Sequence, residues 1–471
     1  MIFGSTLVLF LAYFLKFNYK HMIFKSIDPS SQLLIAEHEV LTESQLNKKL
    51  QLSERAFKKW KQTTFEQRAL LMKKLADILR KKKEELGFLI TNEMGKVLFE
   101  SISEVEKSAA NCDFYAENAE IMLKDEYYDT PFKSMSVYDP IWAVFAIIPW
   151  NYPFWQVLRY AALVIMSGNV TLLRHAPNVI GCAKAIENAF LEAGFPEGVF
   201  QQITIDIPLV ENVIASNIVQ GITLTGSEMA GSAVASLAGK HIKKTVLELG
   251  GSDAFIILNN ANLEKAATVA TQSRMLNAGQ ACICAKRFIV VDEVADEFIA
   301  LFANKINLLK QGDPMMEGIN LGPLARLDLA EKLENQLQKS IQQGAKILVG
   351  GARENCNFQP TLIECFDSNS IAFQEETFGP LATVIRVKDE NQAIAIANNH
   401  RYGLAASIWT TDREHAYHLS RKIEAGSVFV NSLVRSDSRV PFGGIKKLGY
   451  GRELGAIGIK EFMNAKSLII E

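Results

Sequence analysis

IWAVFAIIPWNYPFWQVLRYAALVIMSGNVTLLRH, residues 141–175, runs from an apolar strand through a turn and an alanine-containing helical stretch into a second strand. The pattern continues: VFQQITI (199–205) and IVQGITLTG (218–226) are strand-like, and each neighbours an Ala-rich helical stretch. Strands that alternate with helices belong in a parallel sheet covered by helices, a nucleotide-binding layout. A second alternating region begins near Leu249 and holds AFIIL, RFIVV, AKILVGG, LATVIRV, ASIWT and SVFVN, with helices such as NQAIAIANNH and REHAYHLSRKI between them. Upstream, residues 43–122 place apolar side chains three and four apart, which predicts helices with a charged outer face. DEYYDTPFKSMSVYDP (125–140) reads as two short strands around a Thr-Pro turn. No fixed-period repeat or low-complexity linker intervenes, so the two alternating regions should pack tightly, with a cleft between them as the natural site.

A chain of 471 residues exceeds what one core usually organises, so two or three domains are expected. Hydrophobic residues at 48% and charged residues at 22% fit a globular protein and exclude a disordered or polytopic membrane chain. Fifty basic against 52 acidic side chains leave a net charge of -2, without the basic footprint of a nucleic-acid binder. Small molecules are the expected partners. Six cysteines (Cys112, Cys182, Cys282, Cys284, Cys356, Cys365) show no disulfide-framework spacing and suit a reducing, cytoplasmic compartment. Cys282 and Cys284 lack nearby histidines, so no metal is expected there.

Residues 1–15 (MIFGSTLVLFLAYFL) are almost wholly apolar and precede Lys16, Lys20 and His21. The run falls short of the ~20 residues that span a bilayer, with no basic segment before it and no small-residue cleavage site after it. Two readings stand: a membrane anchor, or an upstream extension of a chain that starts at Met22.

Four short stretches are candidates for chemistry: PWNYPFWQ (149–156), LTGSEMAG (224–231), LELGG (247–251) and NAGQACIC (277–284). Polar residues bracketed by strand and turn residues at the end of a parallel strand are where α/β active sites assemble. Together with EETFGPL (375–381) and PFGGIKKLGYGRE (441–453), these stretches resemble the aldehyde dehydrogenase superfamily from about Ile27 to the carboxyl end. The resemblance implies an α/β fold with a Rossmann-type cofactor domain (22–121 and 141–247), an α/β catalytic domain (248–445) and a small β oligomerisation element (122–140 and 453–471). Residues 1–21 form the apolar extension. It also implies an NAD- or NADP-dependent oxidation of an aldehyde to a carboxylic acid, by a homodimer or homotetramer.

Residue by residue, Cys282 matches the family's nucleophile, Asn151 its oxyanion donor and Glu248 the base that activates water. The 34 residues from Glu248 to Cys282 equal the family's interval between base and nucleophile. Trp150, Arg174, Gly226, Ser227, Glu376 and Phe378 match cofactor-binding positions; TGS before a helix offers amino-terminal N–H groups to a diphosphate. Arg174 stands where many members carry lysine, and Pro177 where NAD-preferring members often have glutamate, so NADP should be tolerated. Leu448 replaces a usual serine, with local consequences expected. RHAPNVIGCA and RVPFGGIKK look most like the bacterial succinate-semialdehyde dehydrogenase branch. By that likeness Arg159 would hold the substrate carboxylate. Leu276 stands where some members place a second arginine, leaving Arg439 or Arg435 as substitutes. Cys284 could pair reversibly with Cys282 under oxidation, as the same Cys-x-Cys does in some relatives. An aldehyde dehydrogenase of another substrate class, and a non-catalytic binding or structural relative, are the alternative readings.

Overall fold

The computed structural model describes residues 22–471; the anchor and alternative-start readings for residues 1–21 lie outside the described residues. Two antiparallel strands, Ile23–Ile27 and Leu34–Glu39, open the described chain. Sequence reading did not foresee this hairpin, whose strands are mostly exposed and lack a clear apolar alternation. Four helices follow, Glu43–Trp60, Phe65–Lys81, Lys83–Met94 and Leu98–Met122, across the span read as helical. The first two begin in capping boxes, Thr42 with Gln45 and Thr64 with Gln67, each satisfying two amides at the helix start.

The first large sheet has the order Gly449–Tyr450, Lys244–Glu248, Val219–Thr225, Ala143–Ile148, Val170–His175, Phe200–Gln202. All neighbours are parallel except the edge pair Gly449–Tyr450 with Lys244–Glu248. From Ala143–Ile148 the chain builds outward through Val170–His175 to Phe200–Gln202. It then returns to add Val219–Thr225 on the other side. Loops leaving the two strands at this reversal diverge and open a crevice at their carboxyl ends. The helix Trp155–Met166 is buried along its whole length, and its sequence is accordingly apolar apart from Gln156 and Arg159, which line the larger cavity, and the Tyr160 hydroxyl.

The second sheet has the order Lys346–Val349, Thr361–Glu364, Leu381–Val387, Ala285–Val291, Asp253–Ile257, Ala405–Trp409, Ser427–Val430, again parallel apart from its first, edge strand. Both of its faces are buried, one under Phe298, Phe302 and Leu333, the other under Phe373, Ala393 and Leu419. Met463–Ile470 pairs with Lys133–Pro140, which pairs with Glu126–Tyr128, as a three-stranded antiparallel sheet within one chain. The hairpin and final strand expected from the sequence are therefore present. The segment before them departs from the expected division: Phe442, Leu448, Leu454 and Ile459 are buried in the core of the first sheet, so residues 442–459 serve that core. Apolar side chains spaced along a glycine-rich loop gave no periodic signal for this return. Among the described residues no helix is long and apolar enough to cross a membrane.

Candidate active site

The crevice is floored by residues that leave three adjacent parallel strands: Trp150 and Asn151 after Ala143–Ile148, Gly226 and Ser227 after Val219–Thr225, and Leu249 and Gly250 after Lys244–Glu248. The second sheet walls it with the loop before Ala285–Val291 and with Glu376 and Phe378 before Leu381–Val387. Two cavities meet here, of about 480 Å³ and about 200 Å³, and both are lined by Cys282 and Gln156.

Cys282 ends a loop held in a costly conformation. Asn277, Ala278 and Gly279 have φ of 53°, 50° and 74°, the left-handed region, at about 1–3 kcal/mol for each non-glycine residue. Surrounding groups fix it. Asn277 donates its side-chain amide to the Asn151 carbonyl at 2.8 Å and its backbone N–H to Glu100 Oε2 at 2.9 Å. Arg274 donates to the carbonyls of Gly279 and Thr377, and Lys286 Nζ donates to those of Ala281 and Cys282, both at 3.0 Å. Arg274 and Lys286 are fully buried. A Cβ on Gly279 would lie 2.3 Å from the Gly379 carbonyl oxygen, so only glycine fits.

Asn151 is buried, and Gln156 Nε2 donates to its Oδ1 at 3.2 Å, which fixes the amide so that Nδ2 points across the loop to the Gln280 carbonyl at 2.9 Å. That amide has a second N–H to offer. Burial pushes the Cys282 thiol up to about 12; the positive charges of Arg159 and Lys286 oppose the shift, and Glu248 adds to it. Burial, then the neighbouring Glu453, hold Glu248 well above the usual carboxylate range, against the pull of Arg159 and Arg452. Glu248 Oε1 is buried with no hydrogen-bond partner among the described residues, and Gly443 passes so close that a Cβ there would sit 2.6 Å from it. A carboxylate kept proton-hungry in a dry cleft is suited to general-base work.

The smaller cavity suits a dinucleotide. Ser227 caps the helix Glu228–Lys240 and accepts from Ala230 N–H at 3.2 Å, so the helix starts beside Gly226 at the cavity wall with other first-turn amides uncapped. Thr225 Oγ1 is buried there without a partner, a polar atom ready for a ligand. Phe378 stands edge-on to Trp150, ring centroids 5.7 Å apart. Glu376 accepts from Gly251 N–H at 3.0 Å and lies 3.7 Å from Lys286 Nζ, so its carboxylate is tethered at the cavity wall. Arg174 donates to the Ile205 carbonyl at 3.1 Å and lies outside this cavity's lining.

The larger cavity is mostly apolar, with Phe99, Trp155, Ile283, Leu433 and Phe442 in its walls. Arg159 lines it but is buried in an ion pair with Glu453, its guanidinium 4.8 Å over the Phe442 ring. Arg435 lines the cavity; Arg439 pairs with Asp437 at 2.6 Å and does not. Of the two substitutes, Arg435 is therefore the one in place. Leu276 lines the same wall, where an arginine would have projected. Leu448 is fully buried against Gly444 while its carbonyl accepts from Leu249 N–H at 2.7 Å, so its effect is local. Cys284 is buried with its thiol pushed up by burial, and all six cysteines are free. Sequence reading missed Gln156, Glu453, Lys286 and Lys107. A signal existed for Lys286, since AKRFIVV puts two cations in a strand otherwise apolar. Lys107 carried a signal as well, being the one basic residue on the helix Leu98–Met122, which holds six acidic ones.

A probable succinate-semialdehyde dehydrogenase [NADP(+)] from Synechocystis sp. is 44% identical over 453 residues, covering 95% of this chain and 100% of that protein. A succinate semialdehyde dehydrogenase [NAD(P)+] of Escherichia coli is 42% identical over 423 residues, covering 89% and 92%. The crystal structure of succinic semialdehyde dehydrogenase from Streptococcus pyogenes in complex with NADP+ superposes with a TM-score of 0.93 at 34% identity, over 95% of this chain and 99% of that one. The aldehyde dehydrogenase family profile matches residues 17–468, and the chain belongs to the aldehyde dehydrogenase family.

Proposed function

We propose that the protein oxidises succinate semialdehyde to succinate with NADP+ or NAD+, through a thioester on Cys282. The observation that carries this reading is the position of Cys282 at the junction of two cavities, one beside the Ser227 helix start and the other containing Arg159 and Arg435. Several similar relatives are named for this substrate, which supports the choice among aldehydes.

The Cys282 thiolate attacks the aldehyde carbon and forms a hemithioacetal. Asn151 Nδ2 and the backbone N–H of Cys282 hold the oxygen as it becomes negative, a contribution of about 3–4 kcal/mol for one such donor. Oxidised nicotinamide, held beside Glu376 and Phe378, would supply the acceptor for the hydride that leaves that carbon. Glu248 then removes a proton from water, the hydroxide adds to the thioester, and the carboxylic acid leaves as Cys282 returns to the thiolate. Glu376 and Phe378 orient the nicotinamide end, and Gly226 and Ser227 meet the diphosphate. Pro177 in place of a carboxylate leaves no repulsion against a 2'-phosphate, so NADP+ is accepted. Arg159 presents its remaining guanidinium N–H groups to the substrate carboxylate. A hydrolytic outcome, rather than acyl transfer to a thiol acceptor, follows from retention of Glu248.

The two edge strands of the three-stranded sheet expose Tyr127 at 66% and Ile469 at 66%, and such unpaired edges suit pairing with a second copy in a dimer or tetramer. Six free cysteines suit a reducing, cytoplasmic setting. Oxidation would join Cys282 to Cys284 and stop turnover, reversibly under thiols. The test of the substrate reading is the initial rate of NADPH and NADH formation from succinate semialdehyde against pentanal, with Cys282→Ala as control. Preference for the acid aldehyde and a dead control support it; faster oxidation of pentanal refutes the substrate assignment.

A further inference from the structure

Most acids around the larger cavity have cationic partners; Glu100, which also lines it, has no ion pair among the described residues and accepts from Asn277 N–H, and burial pushes its carboxyl up to about 7. Glu453 pairs with Arg159, Glu104 pairs with Lys96 and accepts from the N–H groups of Phe154 and Trp155, and Asp437 pairs with Arg439. Two cations in the lining have no ion pair within 4 Å among the described residues, Lys107 and Arg435. Arg435 is exposed at the mouth. Lys107 belongs to a helical stripe with Phe99 and Ser103, spaced four apart along Leu98–Met122 and all facing the cavity. Its side chain emerges at the mouth, yet the ammonium turns to lie 4.0 Å over the Trp155 ring and donates to Ser436 Oγ at 2.9 Å. Trp155 and Ser436 are both buried. This leaves a positive charge on an apolar wall, lacking an anion, in the cavity that ends at Cys282.

We propose that the Lys107 ammonium, together with the Ser436 hydroxyl, receives the distal carboxylate of the aldehyde, which makes Lys107 a specificity-determining residue. This rests on the reading of the substrate as an acid aldehyde. It assigns the carboxylate a partner besides Arg159, whose charge Glu453 largely satisfies. Lys107 as a residue is exposed, but desolvation of its ammonium where it lies over Trp155, then the positive charge of Arg159 and less that of Arg435, bring it down to about 8, against Glu104 and Asp437, which raise it. An arriving carboxylate favours the protonated form, so the acid substrate draws this lysine to its charged state.

The test compares kcat/KM for succinate semialdehyde with that for pentanal, as a ratio, in the wild type, Lys107→Met and Lys107→Arg, with NADP+ saturating and Tm recorded for each. The expected result is a ratio at least tenfold lower in Lys107→Met, carried by KM for the acid aldehyde, and largely restored in Lys107→Arg. Wild-type KM for the acid aldehyde should rise above about pH 8, with no such rise for pentanal. A wild-type ratio near unity overturns the substrate reading and this inference with it. A high wild-type ratio that Lys107→Met changes less than threefold overturns the inference alone.

Discussion

Lys286→Met tests whether a buried cation organises the nucleophile loop. Lys286 Nζ donates to the carbonyls of Ala281 and Cys282 at 3.0 Å each and lies 3.7 Å from Glu376, with no solvent access. Hydrogen bonds from a charged donor contribute about 1.5–3 kcal/mol each, so two lost bonds amount to about 3–6 kcal/mol before the methionine side chain recovers packing. A net loss of about 3 kcal/mol in urea unfolding is expected. The chemical consequence has a definite sign. The Lys286 charge pulls the Cys282 thiol down, so its removal pushes the thiol further up and reduces the thiolate present at a given pH. One pH unit corresponds to tenfold less thiolate below the midpoint. Alkylation of Cys282 by iodoacetamide, followed across pH by peptide mass analysis, should be slower in the variant at pH 8, with the whole profile displaced upward. An alkylation profile that stays in place, in a variant shown to be folded, refutes the electrostatic role given to Lys286.

Asn151→Ala should lower kcat by about 10²–10³ with little change in KM, and an equal loss in a Gln156→Leu variant would locate the effect in the orientation of the amide. If Asn151→Ala retains more than a tenth of wild-type kcat, the oxyanion assignment fails. Gly279→Ala should yield an inactive protein with lower Tm, because its Cβ would lie 2.3 Å from the Gly379 carbonyl at φ 74°; a fully active, equally stable variant sinks that packing argument. Acid should destabilise the fold through buried histidines: burial brings His175 down to about 4 and His400 to about 3. Between those values and the ordinary pKa near 6.5, the unfolded chain binds protons that the folded chain refuses, so stability is lost as pH falls, by about 1.4 kcal/mol per unit for each group. Urea midpoints at pH 7 and 5 measure this, and a His175→Gln variant with an undiminished pH slope contradicts it.

The alternation of strands and helices was legible in the sequence because each parallel strand is buried on both faces and so reads as a short apolar run, as in AVFAII and DAFII. Asn151, Glu248 and Cys282 were legible through motifs that resemble a known family; Asn151 and Cys282 line the smaller cavity, and Glu248 ends the strand Lys244–Glu248 just before Leu249 and Gly250 of that lining. Periodicity alone would not have found them, since Asn151 and Cys282 lie in turns and Glu248 is the last residue of a short strand. What escaped were contacts between distant segments. Glu453 meets Arg159 across 294 positions of chain, and their pairing turned an expected substrate ligand into a residue shared with the protein's own acid. The choice between Arg435 and Arg439 depended on which way a loop turns, and Asp437 decides it by holding Arg439 outward. The opening hairpin was missed because its exposed strands carry apolar and polar residues without strict alternation.

The most direct test of the account is to find the covalent intermediate. In a Glu248→Gln variant mixed with succinate semialdehyde and NADP+ and quenched in acid, peptide mass analysis should locate an acyl group on Cys282, after a single burst of NADPH and little further turnover. Absence of the adduct despite a burst, or an acyl group on Cys284 instead, would contradict the assignment of Cys282 as nucleophile and Glu248 as the hydrolytic base.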